Sequence, residues 1–411
     1  DIYFSRFKAL PKIFQHDPCP DTGIIVVIPC LDDDFIFRTL ESLEKAVQPK
    51  CKTEVIVIVN SGENTPQNAI ENNRKIYIKL EQNAATYKSF HLLPHLIENT
   101  PKKIAGVGFA RKTGMDEAVR RFNALNKPSG IIVSLDSDCL IEKDYFCEIS
   151  NYFVKYSDSD ACTVQFKHDF DEYLYSGDII SACTLYEIYL RYFRLSLQYC
   201  GYPNSLHTIG SCFCVTAQSY IKAGGMSKRQ GGEDFYFLHK LALMTKIGTI
   251  DSKALVFPSP RISYRVPFGT GKAVSKIISE NKYTVYNFKL FEILKQFYNN
   301  AENFYVQGKY VRSLIPEDII ECMDQELLKS HIDDCLKNTN NVNSFLRRFF
   351  AKFDAFFIVR FLNSFDQNSD FPPVDVCIAA SQLLQKYNVN KTGGNVQKIY
   401  QEIFKLDFKL D

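Results

Sequence analysis

The sequence predicts an α/β protein built on an open, mostly parallel sheet, followed by a helical C-terminal region. Residues 24–28 form a continuous β-branched run, and residues 54–59 and 131–135 are similarly rich in Val and Ile; such runs are typical of strands that are covered on both faces. Stretches with helical periodicity separate these runs, and strands that alternate with helices indicate parallel pairing. Ligands of such sheets bind at the carboxyl ends of the strands, so the residues that follow each run are the first candidates for a site.

The composition excludes several classes of protein. Of the 411 residues, 45% are hydrophobic and 23% are charged, which excludes a disordered chain and a disulfide-stapled mini-protein. The net charge is only +2, so the chain has no global field that would gather nucleic acid. No apolar run approaches the length of a membrane span. The 13 cysteines are scattered without a CxxC pair, which predicts free thiols and a cytoplasmic location.

The pattern divides the chain into an arm of residues 1–22, an α/β domain of residues 23–271 and a helical region of residues 272–411. Asp34 is the predicted N-cap of a helix whose inner face carries Ile36, Leu40, Leu43 and Val47. Further helices are predicted at residues 68–73, 106–125, 179–197, 233–246, 272–299, 316–338, 342–363 and 373–387, and further strands at residues 161–166 and 211–215.

Asp136, Ser137 and Asp138 directly follow the strand predicted at residues 131–135. Two carboxylates one residue apart at a strand end can act together on one anionic ligand. One of them can hold a hard divalent cation that neutralises phosphate oxygens, and the other can bind a hydroxyl or the same cation. A simple aspartate-rich turn is the alternative, but the place at the end of a buried strand favours function.

A second pair of acids, Glu233 and Asp234, follows two glycines and begins a predicted helix. The helix macrodipole there favours an ionised carboxylate, and an ionised carboxylate is what a general base requires. Ordinary capping of the helix N-terminus is the alternative function of these acids.

Polar residues also follow the first two predicted strands. Asp32 and Asp33 lie where the base or ribose of a nucleotide can be held, and Asn60 ends the second strand in an equivalent place. Arg111 and Lys112 stand near the start of a helix after a glycine pair, a position that suits a cationic contact to a diphosphate. Ordinary solvated charge is the alternative for these two cations.

Taken in order, these segments resemble the inverting glycosyltransferases of family 2, which have the nucleotide-sugar-binding GT-A fold. Residues 29–33 are similar to the family's Pro-x-x-Asn/Asp-Glu/Asp turn, and residues 106–114 are similar to its Gly-x-x-x-Ala-Arg-Asn-x-Gly helix start. Residues 136–138 resemble its DxD motif, and residues 232–234 resemble its Glu-Asp motif. The similarity covers about residues 22–270, so it implies a GT-A-like catalytic domain at residues 23–271.

The resemblance implies metal-dependent transfer of a sugar, with inversion, from a nucleotide-diphosphate sugar to an acceptor hydroxyl. The implied donor is a UDP- or GDP-sugar and the implied acceptor a saccharide or a lipid-linked molecule, as in polysaccharide biosynthesis. Asp138, together with Asp136, is implied to hold Mg²⁺ or Mn²⁺, and Asp234, helped by Glu233, to act as the base. The implied nucleotide-sugar-binding residues are Pro29, Asp32, Asp33, Asn60, Arg111, Lys112, Asp136 and Ser137.

The chain departs from the family pattern in two places. Asn60 stands where an acid is usual, which leaves the nucleobase open, and the absence of tryptophan rules out an Arg-x-x-Arg-Trp motif. Arg261 and Arg265 stand in the place of that motif. The helical region matches no named pattern, so acceptor recognition, dimerisation and contact with a membrane surface all stay open for it.

Two other functions stay open at this point. The first is a HAD-type phosphohydrolase, in which a DxD motif supplies the nucleophile and the acid; such a motif normally ends the first strand, whereas Asp136 follows a later one. The second is a non-catalytic scaffold that binds a saccharide or a partner protein. The presence of both acid pairs argues against that scaffold.

Overall fold

The computed structural model describes residues 2–6, 11–253, 255–263, 265, 269–365, 367, 369–389 and 393–409. The chain forms two compact units, one of residues 1–183 and 207–276 and the other of residues 184–206 and 277–410. The first unit therefore includes the N-terminal residues that the sequence set apart as an arm. Residues 184–206, which the sequence assigned to the α/β domain, belong to the helical unit.

The first unit is built on a seven-stranded sheet with two short flanking strands. Its strands are β1 (Thr22–Cys30), β2 (Lys52–Gly62), β3 (His91–Thr100), β4 (Ile131–Ser134), β5 (Cys139–Ile141), β6 (Ala161–Val164), β7 (Phe213–Thr216), β8 (Ile247–Ile250) and β9 (Val256–Pro258). The order in the sheet is β3-β2-β1-β4-β7-β6-β8. Only β7 runs antiparallel to its neighbours, and β5 pairs with β9 apart from the sheet. The predicted open, mostly parallel α/β sheet is confirmed.

Helices precede, connect and follow these strands. They are α1 (Ile2–Arg6), α2 (Ile36–Lys45), α3 (Gln67–Asn83), α4 (Val107–Ala124), α5 (Tyr145–Lys155), α6 (Gly177–Tyr199), α7 (Ala217–Lys222), α8 (Glu233–Ala242) and α9 (Thr270–Glu280), of which α6 and α9 carry residues of both units. Within the described part of the chain, no helix is both long enough and apolar enough to cross a membrane.

Helix α4 packs closely on β1 and β2 because Gly114 lacks a side chain. A Cβ atom added at Gly114 would lie 2.4 Å from Cγ1 of Val27 and 3.3 Å from Cγ1 of Ile58. Both of these neighbours are fully buried, so they have little room to move aside. The close approach fixes the position of α4 relative to the carboxyl ends of the two strands.

We expect Gly114→Ala to lower the free energy of unfolding by about 1–3 kcal/mol, because the added methyl overpacks the contact with Val27. Urea denaturation checks this expectation. Gly177→Ala is the matched control, since a Cβ added at the start of α6 meets nothing within 4 Å. Adding Val27→Ala to the Gly114 variant should restore part of the loss. Equal stabilities of the Gly114 and Gly177 variants would contradict the packing argument.

The chain order reverses at β1. The chain runs from β1 outward through β2 to β3, and then returns to place β4 on the opposite side of β1. Both neighbours of β1 are parallel to it, so the carboxyl ends of β1 and β4 lie side by side. A crevice outside these ends is where an open α/β sheet binds ligands.

The second unit is helical, as predicted, but its helices are shorter than the sequence suggested. They are α10 (Phe288–Asn299), α11 (Ala301–Gln307), α12 (Glu317–Cys322), α13 (Gln325–Lys337), α14 (Val342–Lys352), α15 (Ala355–Asn363), α16 (Val376–Lys386) and α17 (Val396–Lys409), with a two-stranded ribbon of β10 (Thr284–Val285) and β11 (Val374–Asp375). Buried aromatic rings, among them Phe297, Phe349 and Phe353, pack together in its core.

A buried ion-pair network holds the C-terminal helix of this unit. Asp407 on α17 accepts hydrogen bonds from Arg191 and from Nε of Arg194, the latter at 2.5 Å. Arg191 also pairs with Glu187 at 2.8 Å. Since these charges are buried, each needs its partners, and loss of one would leave the others uncompensated.

Candidate active site

Asp33 is the central carboxylate at the end of β1. It is 1% exposed, its Oδ1 accepts a hydrogen bond from the backbone N–H of Phe35, and its Oδ2 accepts one from Oγ of Ser137 at 2.5 Å. Asp34, the predicted N-cap of α2, is not the cap, because the N-cap position falls one residue later, on Phe35. The carboxylate that accepts a backbone N–H at this helix start is that of Asp33. The Ser137 contact joins the segment after β1 to the DxD segment after β4.

Arg111 joins the two acid pairs. This residue of α4 is 2% exposed, and its guanidinium donates to Oδ1 of Asp136 at 2.8 Å and to Oε1 of Glu233 at 3.1 Å. Its third group, Nη1, donates to Oγ of Ser134 and to the carbonyl oxygen of Gly210. Burial would lower the pKa of Arg111, but Asp136 and Glu233 outweigh it and raise the pKa, so the guanidinium stays charged. Arg111 therefore fixes both acids in one cluster.

Glu233 and Asp234 begin α8, and they differ in exposure. The N-cap residue Gly232 has a φ of 71°, a left-handed conformation that glycine adopts without strain. Glu233 is 2% exposed and bound to Arg111, whereas Asp234 is partly exposed. Although Asp234 keeps some exposure, its surroundings remove most of the water from its carboxylate. This burial, followed by the charge of Glu233, raises the pKa of Asp234 to about 7 against the opposing charge of Arg111. Burial and the charge of Glu233 therefore outweigh the helix N-terminus, which by itself favours ionisation of Asp234.

Arg261 and Arg265 lie on the other side of Asp33. Nη1 of Arg265 lies 2.8 Å from Oδ2 of Asp33, and Nη2 of Arg261 contacts Oδ2 of both Asp33 and Asp138, the latter at 3.1 Å. Although burial alone would raise the pKa of Asp33, these two arginines hold it below its usual value. Burial raises the pKa of Asp138, and the charge of Arg261 offsets that rise only in part because Asp33 and Asp136 add to it.

A cavity of about 680 Å³ adjoins this cluster. Its walls include Arg261, Arg265 and Asn60. Asn60 lies inside β2 rather than after it and is 3% exposed, and among the described residues its side-chain amide has no hydrogen-bond partner. Further polar residues that line the cavity are Asp32, Asn64, Asn68, Lys102, Gln230 and Ser263. The cavity thus places the unpaired amide of Asn60 beside two guanidinium groups.

Two predicted site residues lie elsewhere. Lys112 is buried, and its Nζ pairs with Asp116 at 2.9 Å and donates to the hydroxyl of Tyr3. The prediction that Lys112 and Arg111 together contact a diphosphate is at odds with this placement, since adjacent residues of a helix face different directions. Pro29 is buried within β1, where it pairs with Ile58, and it does not line the cavity.

Other site residues were not singled out from the sequence. Asn73 on α3 is fully buried and ties two strand ends together: its Oδ1 accepts from the N–H of Asp32, and its Nδ2 donates to the carbonyl of Asn60. The places of Ser134 and Gly210 follow from the strand register and from Arg111, which the sequence alone does not give. A polar residue on the inner face of a predicted helix is the signal that could have indicated Asn73.

The donor set suits a divalent cation that binds together with an anionic ligand. Five carboxylates face three guanidinium groups in this cluster, so two negative charges stay uncompensated when every group is ionised. In the described part of the chain, no three His, Cys, Asp or Glu residues form a metal-binding group. Mg²⁺ and similar ions are commonly held by one or two carboxylates plus substrate phosphates. Asp136 and Asp138, which are partly exposed, fit that arrangement.

Comparisons with known proteins find only structural likeness. No protein-family model matches the chain, and no curated protein matches it at a significant level. It is similar to S. aureus TarS 1–349 in complex with UDP-GlcNAc, at 13% identity over 94% of this chain and 91% of that chain, with a TM-score of 0.39. It is also similar to the mannosyltransferase PcManGT from Pyrobaculum calidifontis in complex with GDP-Man and Mn²⁺, at 13% identity over 98% and 92%, with a TM-score of 0.35. Likeness at these values carries no conclusion about activity.

Proposed function

We propose that this protein is a metal-dependent, inverting glycosyltransferase of the GT-A type, related to family 2. It moves a sugar from a UDP- or GDP-sugar to a hydroxyl of a saccharide or lipid-linked acceptor. One observation carries the proposal: a partly exposed carboxylate with a pKa near neutrality shares one cluster with two metal-competent carboxylates. The cluster lies at the crevice where the sheet order reverses.

The nucleotide lies in the cavity beside β1 and β2 in this proposal. An unpaired amide such as that of Asn60 can both donate to and accept from a nucleobase edge. Asp32, on the same wall, contacts the ribose. Arg261 and Arg265 supply positive charge for the diphosphate, in place of the predicted Lys112.

Asp138 and Asp136 are the residues that would hold Mg²⁺ or Mn²⁺. Such a cation, when bound, would neutralise charge on the leaving diphosphate. Arg111 keeps Asp136 in position through Oδ1 and leaves its second oxygen for another contact. Ser137 orients Asp33, which in turn holds Arg261 and Arg265 at the cavity wall.

Asp234 is the general base. As the acceptor oxygen attacks the anomeric carbon from the face opposite the diphosphate, Asp234 takes the hydroxyl proton. The bond from the anomeric carbon to the diphosphate oxygen breaks, and the configuration inverts. A carboxylate whose pKa lies near the working pH is well matched to this role. Glu233 is buried against Arg111, so it acts on the base only through its charge.

Nucleotide-sugar turnover tests this function. We expect thermal stabilisation by a UDP- or GDP-sugar in the presence of Mn²⁺, and release of the nucleoside diphosphate that increases when a saccharide acceptor is added. UDP-GlcNAc and GDP-Man are suitable first donors. NMR of the product should show inverted anomeric configuration.

Two results would support the competing functions instead. Phosphatase activity on simple phosphomonoesters without any nucleotide sugar would favour a HAD-type phosphohydrolase. Saccharide binding with no turnover of any nucleotide sugar above background would favour a non-catalytic scaffold.

A further inference from the structure

Arg261 and Arg265 make contacts that a ligand can compete for. Both guanidinium groups meet Oδ2 of Asp33, and both approach Oδ2 of Asp138, at 3.1 Å from Arg261 and 3.8 Å from Arg265. Their side chains are 21% and 25% exposed and line the cavity. By contrast, Arg111 is only 2% exposed, and its three guanidinium nitrogen atoms together donate to four acceptors.

Arg261 also retains an unused hydrogen-bond donor. Its Nε is buried and has no hydrogen-bond partner among the described residues. A buried donor without a partner is costly, and a phosphate oxygen in the cavity would satisfy it. The guanidinium lies 4.7 Å from the ring centre of Phe35, a contact that can hold it without fixing its hydrogen bonds.

Asp138 is the point at which these arginines and a metal ion conflict. Its Oδ2 is taken by the two guanidinium groups, and its Oδ1 accepts a weak hydrogen bond from Sγ of Cys139 at 3.9 Å. A divalent cation on this carboxylate would face two positive charges a few ångströms away. A diphosphate attracts the arginines and the cation alike, so its arrival removes that conflict.

We propose that Arg261 and Arg265 hold the Asp138 carboxylate in the ligand-free protein and transfer to the diphosphate when the nucleotide binds, which frees Asp138 for the metal ion. This proposal rests on the proposed function. It makes the two arginines positioning residues that couple two binding events. The cation alone binds weakly, the nucleotide strengthens its binding, and by linkage the cation strengthens nucleotide binding by the same factor.

Isothermal titration calorimetry on the full chain tests the exchange. Mn²⁺ affinity is measured with and without UDP, and again with GDP, for the wild type and for Arg261→Ala, Arg265→Ala and Arg261→Lys. Arg74→Ala is the matched control, because it removes an arginine that pairs with Glu98 outside the cluster. The melting temperature of each variant verifies that it is folded.

In the wild type we expect the nucleotide to strengthen Mn²⁺ binding roughly tenfold or more. Each alanine variant should bind Mn²⁺ alone roughly threefold or more tightly than the wild type, bind the nucleotide more weakly, and lose most of the coupling. Arg261→Lys should stay nearer the wild type, and Arg74→Ala should match it. If the alanine variants do not fold, the test is the ratio of the wild-type Mn²⁺ affinities measured with and without the nucleotide. A ratio near one overturns the exchange.

Two results separate this proposal from the proposed function. Nucleotide binding that depends on Mn²⁺, with Mn²⁺ affinity unchanged or weakened in a folded Arg261→Ala protein, overturns the exchange and leaves the glycosyltransferase in place. A wild type that binds neither UDP nor GDP in the presence of Mn²⁺ overturns both.

Discussion

Asp234→Asn is expected to lower the turnover of glycosyl transfer by roughly a hundredfold or more, while donor affinity stays near that of the wild type. The amide keeps the size and partial exposure of the side chain but cannot take the acceptor proton. Steady-state kinetics with a saturating donor, together with calorimetric donor binding, measures the two effects separately. Asp318→Asn is the matched control: Asp318 is likewise a partly exposed acid in the first turn of a helix, on α12. Normal turnover of the Asp234 variant would show that the base lies elsewhere.

The ionisation of Asp234 predicts how both turnover and stability change with pH. With a pKa of about 7 in the folded protein, Asp234 is protonated below neutrality, so wild-type turnover should fall as the pH drops from 8 to 6. Because the pKa of an unfolded aspartate is about 3.9, the folded state holds more protons between pH 4 and 7. Its stability contribution is therefore lost as the pH rises through this window. Asp234→Asn should melt higher than the wild type at pH 8, by a smaller margin at pH 5, and no higher near pH 3.

Asp138→Ala is expected to abolish metal-dependent nucleotide binding. The substitution removes the carboxylate that we propose for the cation, and it leaves Asp136 as the single acid of the pair, already bound to Arg111 through one oxygen. Calorimetry of UDP and GDP binding with and without Mn²⁺ measures the effect. Asp34→Ala is the control, since Asp34 is also near the end of β1 but is hydrogen-bonded to Asn72 outside the cluster. An affinity that stays at the wild-type value with Mn²⁺ present would remove Asp138 as a metal ligand.

The sheet and the site's main acids could be predicted because they depend on short-range patterns. Runs of β-branched residues predict the three parallel strands β1, β2 and β4. The acids that follow β1 and β4 in sequence lie together in the cluster at Asp33 and Asp138. Strand ends are local features of the chain, so a single sequence reveals them. The parallel arrangement then brings such ends together without any further information.

The partners of those acids could not be predicted. Arg261 lies more than one hundred residues from Asp138, and its contact depends on the segment after β9 returning to the sheet. Lys112 follows Arg111 directly in sequence, yet the helix turns it to Asp116 and Tyr3. Burial of a charge, and with it the pKa of Asp234, follows from the surrounding packing and not from any motif.

The helical region shows another limit of the sequence patterns. The helices predicted at residues 316–338 and 342–363 each divide in two, and a capping aspartate marks each break. Asp324 accepts a hydrogen bond from the N–H of Leu327, and Asp354 accepts from the N–H groups of Phe356 and Phe357. The hydrophobic periodicity continues across both breaks, and for this reason the sequence patterns predict one helix in each range. The capping signal that Asp324 and Asp354 carry is local and weaker than this periodicity.

A crystal structure of the protein with Mn²⁺ and a nucleoside diphosphate tests the central claim most directly. The account predicts an anomalous manganese peak within coordination distance of the Asp138 carboxylate, with diphosphate oxygens on the same ion and the base beside Asn60. A nucleotide bound away from the carboxyl ends of β1 and β4, or a manganese ion on other ligands, would contradict it.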